Sequence, residues 1–124
     1  MARILVVDAD QIVRHAVRIV LEAAGHDVME AADGEAARRL CGERGADLVL
    51  VDYRPEPEGL EVIRALRAAI PRPQIVAMSG GGRIGHRDLL KAASALGVAY
   101  TLRKPFEPSD LLAAIRELLG ERGP

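Results

Sequence analysis

The 124-residue chain has a single cysteine, no long apolar run and almost no net charge, and lysine is nearly absent from it. One thiol, Cys41, cannot close an internal disulfide, so the fold has to stand on packing. No stretch approaches the roughly 20 consecutive apolar residues that a membrane-spanning helix needs, and the N-terminus lacks the pattern of a secretory leader. A cytoplasmic protein with no membrane partner is expected. A formal charge of -1 provides no broad positive field for a phosphate backbone, which argues against direct nucleic-acid binding. What the chain does have is 49% apolar residues, enough for one core and one domain.

Those apolar residues fall into short runs that alternate with amphipathic stretches. The runs are Ile4 to Val7, Val28 to Ala31, Leu48 to Val51, Ile75 to Met78 and Val98 to Leu102. Continuous runs of this length mark strands covered on both faces, the signature of a parallel sheet. Between them, Val13, Ala16, Val17, Val20 and Ala24 share one face of a helix that Gly25 stops. Asp33-Gly34 opens a second helix burying Ala36, Ala37 and Leu40. A third follows Gly59 with Leu60, Ile63 and Leu66, a fourth carries Leu89, Leu90 and Ala93, and a fifth carries Leu111, Leu112, Ile115, Leu118 and Leu119. The pattern predicts an α/β fold: (βα)5, a doubly wound parallel five-stranded sheet with the flavodoxin-like order 2-1-3-4-5, in one domain over residues 1–124.

Asp8 closes the first run and Asp52 the third. In the order 2-1-3-4-5 these strands are neighbours, and ligands of open α/β sheets sit outside the carboxyl ends of the strands at that switch point. Ser79 follows the fourth run and Lys104-Pro105-Phe106 the fifth. With 15 arginines and two lysines in the chain, Lys104 stands out. Its compact ammonium on a flexible stem is suited to reach a phosphoryl or carboxylate oxygen. Two acids, a hydroxyl and a lysine are thus expected in one crevice.

Over its whole length the chain resembles the receiver domain of two-component response regulators. The matching pieces are Ile4-Leu5-Val6-Val7-Asp8, Ala32-Asp33-Gly34-Glu35-Ala36, Asp47-Leu48-Val49-Leu50-Val51-Asp52, Gly59-Leu60-Glu61-Val62, Ser79-Gly80 and Lys104-Pro105-Phe106. The resemblance implies a phosphorylation switch and not a dedicated enzyme. A histidine kinase or phosphotransfer protein would donate a phosphoryl group to Asp52, with Ser79 and Lys104 contacting that group. Mg2+ would be held by Asp8, Asp52 and the backbone carbonyl of Arg54. Output would pass to a downstream protein, or to a second copy in a homodimer, through the face made by the fourth helix, fifth strand and fifth helix. The resemblance also favours a cis bond before Pro105. With no attached output domain the chain resembles the stand-alone receivers and the receiver segments of hybrid kinases, and opening at Met1 it is expected to be complete.

Three positions depart from the family pattern. Receivers usually carry adjacent acids after the first strand, but here Ala9 separates Asp8 from Asp10, so Mg2+ should bind weakly. Asp10 itself is expected to cap the first helix. The Tyr53 to Gly59 loop is one residue short. Thr101 stands where many receivers place a rotating aromatic ring, and Tyr100, one position early, should face the other way. The alternative function is a phosphorylation-independent interaction module with a defective metal site. A less favoured one is a small nucleotide binder, because Gly80-Gly81-Gly82-Arg83-Ile84-Gly85 fits G-x-G-x-x-G. That fingerprint belongs to the first strand-helix unit of its fold, and no acid follows at the required distance. Cys41 is expected in packing, and His15, His26 and His86 in solvent.

Overall fold

Leucine, isoleucine and valine fill the first and third apolar runs, which become the two central neighbours at the site end of a parallel sheet. The computed structural model describes residues 2–53, 57–80, 91 and 94–120. Five parallel strands, β1 (Arg3–Val7), β2 (Asp27–Ala31), β3 (Leu48–Tyr53), β4 (Gln74–Ser79) and β5 (Tyr100–Arg103), form one sheet in the order β2-β1-β3-β4-β5. Helices α1 (Gln11–Ala23), α2 (Gly34–Arg44), α3 (Pro57–Arg67) and α4 (Pro108–Leu119) accompany it. Here α4 is the fifth of the predicted helices. The predicted fourth, with Leu89, Leu90 and Ala93, lies outside the described residues.

Strand alternation splits the core into two layers. Leu5, Val7, Val49, Val51, Ile75 and Ala77 pack with Ala37 and Cys41 of α2 and with Ile63 and Leu66 of α3. On the opposite face Ile4, Val6, Leu48, Leu50, Val76, Met78 and Leu102 pack with Val17 and Leu21 of α1 and with Leu111, Ala114 and Ile115 of α4. Burial on both faces explains why these strands read as unbroken apolar runs. Cys41 is a packing residue, as expected.

Several expectations are corrected in detail. The buried face of α1 is centred on Val17 and Leu21, while Ala16 and Ala24 are exposed. The docking angle of the helix decides this and not side-chain size, since Ile12 and Ile19 on the same helix are exposed as well. Helix α3 starts at Pro57, ahead of Gly59, as proline is tolerated in a first turn. β3 runs on to Tyr53, so Asp52 belongs to the strand. His26 is buried, and the Ala2 N–H donates to its Nδ1 at 3.2 Å, whereas His15 is exposed. His86 lies outside the described residues.

Helix ends follow local chemistry. The Asp10 carboxylate accepts from the N–H of Ile12 at 2.9 Å and of Val13 at 3.5 Å, capping α1. Asp33 does the same for α2 through the N–H of Ala36. Gly34 lets α2 approach α3: a Cβ there would stand 2.3 Å from Cγ2 of Val62.

Candidate functional site

Sheet register brings the two acids together. Val7 is level with Val51 in the β1–β3 ladder, and on its other side β1 is held one step further, where the N–H of Asp8 donates to the carbonyl of Ala31 in β2. Asp8 and Asp52 therefore sit side by side at the carboxyl ends of neighbouring strands. Both share the alternation of Val6 and Leu50, on the α1/α4 side of the sheet. Asp8 is only 2% exposed and Asp52 15%.

Lys104 joins them from β5. Leu102 is level with Met78, and Met78 with Asp52, so Lys104 stands two residues beyond the acids and reaches back with its stem. Its backbone N–H donates to the carbonyl of Ser79 at 2.8 Å, and a cis bond links it to Pro105. The ammonium donates to Oδ2 of Asp8 at 2.7 Å and to Oδ1 of Asp52 at 3.2 Å. Burial pulls the lysine pKa down, but the hydrogen bond to Asp8 and the charges of Asp52 and Asp8 outweigh it. The result lies above the ordinary lysine value. Lys104 is a permanent cation between two acids.

Ser79 closes β4 one step past the row of Asp52, level with Tyr53, and is fully buried. Its hydroxyl stands 3.5 Å from the carbonyl of Leu102. Arg54 lies outside the described residues, as does the glycine loop beyond Gly80. Thr101 is half-buried and Tyr100 is exposed at the sheet edge. Asp10 contributes its backbone N–H to Oδ1 of Asp8 at 2.9 Å, but its carboxylate is committed to the α1 cap.

Sequence reasoning missed a second polar layer behind Asp8. Arg14 donates from Nη1 to the carbonyl of Asp8 at 2.8 Å and from Nε to Oε1 of Glu30 at 2.9 Å. Arg18 holds the other oxygen of Glu30, also at 2.9 Å. Hydrogen bonds from Arg18, then Arg14, keep the Glu30 carboxyl below its usual range against the opposing effect of burial. The signal was present in the sequence: Glu30 is a charge inside an otherwise apolar strand run, and such a charge needs a partner.

A family model described as the response regulator receiver domain matches residues 4–116. The chain belongs to that family. This receiver is 30% identical to Protein CcdB of Bacillus subtilis over 97% of its own length and 99% of that protein. It is 34% identical to the DNA-binding dual master transcriptional regulator RpaA of Synechocystis, covering 96% of the chain and 49% of that protein. The receiver thus spans about half the length of several curated relatives it matches. Among solved structures, a CheY-like receiver domain protein from Methanospirillum hungatei superposes with a TM-score of 0.83 at 27% identity, covering 98% of this chain and 95% of that one. A response regulator from Thermotoga maritima gives 0.85 at 27%, covering 95% and 97%. The flavodoxin-like receiver fold and a place in two-component signalling follow, and a receiver implies a cognate kinase. Among the described residues no helix is long and apolar enough to cross a membrane.

Proposed function

We propose that residues 1–124 act as a single receiver domain in which Asp52 accepts a phosphoryl group from a histidine kinase or phosphotransfer protein. The observation that carries this reading is the ammonium of Lys104 held between Asp8 and Asp52. Phosphoryl transfer asks the protein mainly for positioning and charge stabilisation. One carboxylate oxygen of Asp52 forms the new bond to phosphorus, the bond from phosphorus to the donor imidazole nitrogen breaks, and the leaving nitrogen keeps that electron pair. Lys104 then pairs with the transferred group. Ser79 joins by turning its hydroxyl from its present partners, and that movement carries the signal toward β5 and α4 and a partner surface there.

Receivers generally bind Mg2+, and the residues present fit it sparingly. Two carboxylates meet the minimum for an ion that otherwise keeps water and phosphate oxygens. Asp8 and Asp52 would hold it, joined by the carbonyl of Arg54, and it would supply neutralisation of the phosphoryl oxygens. Asp10 adds nothing while it caps α1, and Ala9 stands where receivers usually carry a second acid beside Asp8. Weak binding is the consequence.

That same commitment of Asp10, with Ala9 beside it, favours one second reading: an interaction module that works without phosphorylation. Incubation with acetyl phosphate and Mg2+, followed by intact mass, separates the two. The expected result is one added phosphoryl mass in wild type and none in Asp52→Asn. Uptake by Asp52→Asn at the wild-type rate refutes the site assignment, and no uptake by wild type favours the second reading.

A further inference from the structure

Arg14 is the feature that the phosphoacceptor reading leaves unused. Asp8 follows the last β1–β2 pair, Val7 with Ala31, and α1 begins only at Gln11, so its carbonyl lies between the sheet ladder and the helix. A buried carbonyl in that position needs a donor. Arg14 supplies it from the second turn of α1, at 2.8 Å. The guanidinium is a planar fork, and its Nε edge is fixed by Glu30 on β2 at 2.9 Å. Both side chains are half-buried, at 15% and 21% exposure, which reduces the solvent screening that makes surface ion pairs weak. Asp8 is thereby gripped at three points: its N–H by Ala31, its carbonyl by Arg14 and its Oδ1 by the N–H of Asp10. Its Oδ2 faces Lys104.

We propose that Arg14, oriented by Glu30, is a positioning residue that sets the carboxylate of Asp8 and, through it, the ammonium of Lys104 over Asp52. It touches neither the acceptor nor the lysine. Its action runs through the peptide of Asp8. Arginine is required because one side chain has to reach a carbonyl and a carboxylate at once, which a lysine point charge does less well. The consequence for phosphoryl transfer rests on the phosphoacceptor reading, but the consequence for Lys104 does not.

The scarcity of lysine makes the test direct. With two lysines in the chain, Lys91 and Lys104, selective 15N labelling gives two side-chain ammonium signals. The Lys104 signal, ion-paired and part-buried, should exchange slowly with water. Arg14→Gln is expected to speed that exchange and to slow labelling of Asp52 roughly 10- to 100-fold, the scale of a misplacement near 1 Å. Arg14→Lys should fall between Arg14→Gln and wild type. Arg3→Gln is the matched control, because Arg3 also contacts a carboxylate, Asp27, and a carbonyl, Arg44, but at the other end of β1. It should leave both readouts within about twofold of wild type, since separated sites act independently. All variants are measured at a temperature where each is folded by circular dichroism. If Arg14→Gln leaves Lys104 exchange unchanged, or Arg3→Gln alters it as much, the positioning role is wrong. If Arg14→Gln does not fold, Glu30→Gln, which frees the fork but keeps Arg14, is read by the same exchange and must accelerate it. If wild type takes no phosphoryl group, the phosphoacceptor reading fails while ammonium exchange still decides the role of Arg14.

Discussion

Lys104→Met keeps most of the stem and removes the charge that touches Asp8 at 2.7 Å and Asp52 at 3.2 Å. The two carboxylate oxygens it contacts lie no farther apart than those distances laid end to end. At about 6 Å, and an effective dielectric near 20, two unit charges repel by about 3 kcal/mol. The site is not sealed, since Lys104 is 22% exposed and Asp52 15%. Solvent screening therefore lowers the expected loss of stability to about 1–3 kcal/mol. A surface lysine of ordinary kind would cost almost nothing. The assay is urea unfolding at neutral pH with a chelator present, because a divalent cation would replace the missing charge. Asp8→Asn supplies the second arm. Alone it takes a partner from the ammonium and destabilises. Combined with Lys104→Met it removes the repulsion, so the double variant should be more stable than additivity predicts by about 1–3 kcal/mol. A Lys104→Met variant within about 0.5 kcal/mol of wild type, or effects that simply add, would refute the view that this ammonium holds the acid pair together.

Other outcomes follow from single contacts. Gly34→Ala should cost about 1–3 kcal/mol in urea melts, because the new Cβ meets Cγ2 of Val62 at 2.3 Å, and Val62→Ala should recover most of it. Glu30 has a lowered folded pKa, so its stabilising contribution is present above the unfolded carboxylate value near 4.3 and is lost as pH falls through the lower folded one. Glu30→Gln should accordingly flatten the acid limb of the stability profile, and an unchanged limb would show that the arginine pair does not favour its charge. Ala9→Asp restores the family acid and should tighten Mg2+ binding in a calorimetric titration; if wild type already binds as tightly, another group has taken the place of that ligand.

Particular residues show what local sequence decides in this fold and what packing decides. The strands and the cap at Asp10 were legible because each depends on local pattern, and strand order, with Asp8 beside Asp52, followed because a (βα)5 chain has few ways to wind. Apolar runs announce doubly covered strands, an acid closing a run announces the carboxyl edge of the sheet, and Asp before a helix announces its first free N–H groups. The scarcity of lysine singled out Lys104 by composition alone. Side-chain contacts between distant segments were not legible. Nothing in the local sequence says that His26 receives the N–H of Ala2, that Gly34 leaves room for Val62, or that Arg14 spans from the carbonyl of Asp8 to Glu30. A helix fixes which residues share a face but not the depth or azimuth at which it docks, and that docking selects among several arginines the one that meets a buried carboxylate. Sequence therefore determined which chemistry gathers at the sheet edge, and tertiary packing decided which groups hold it in place.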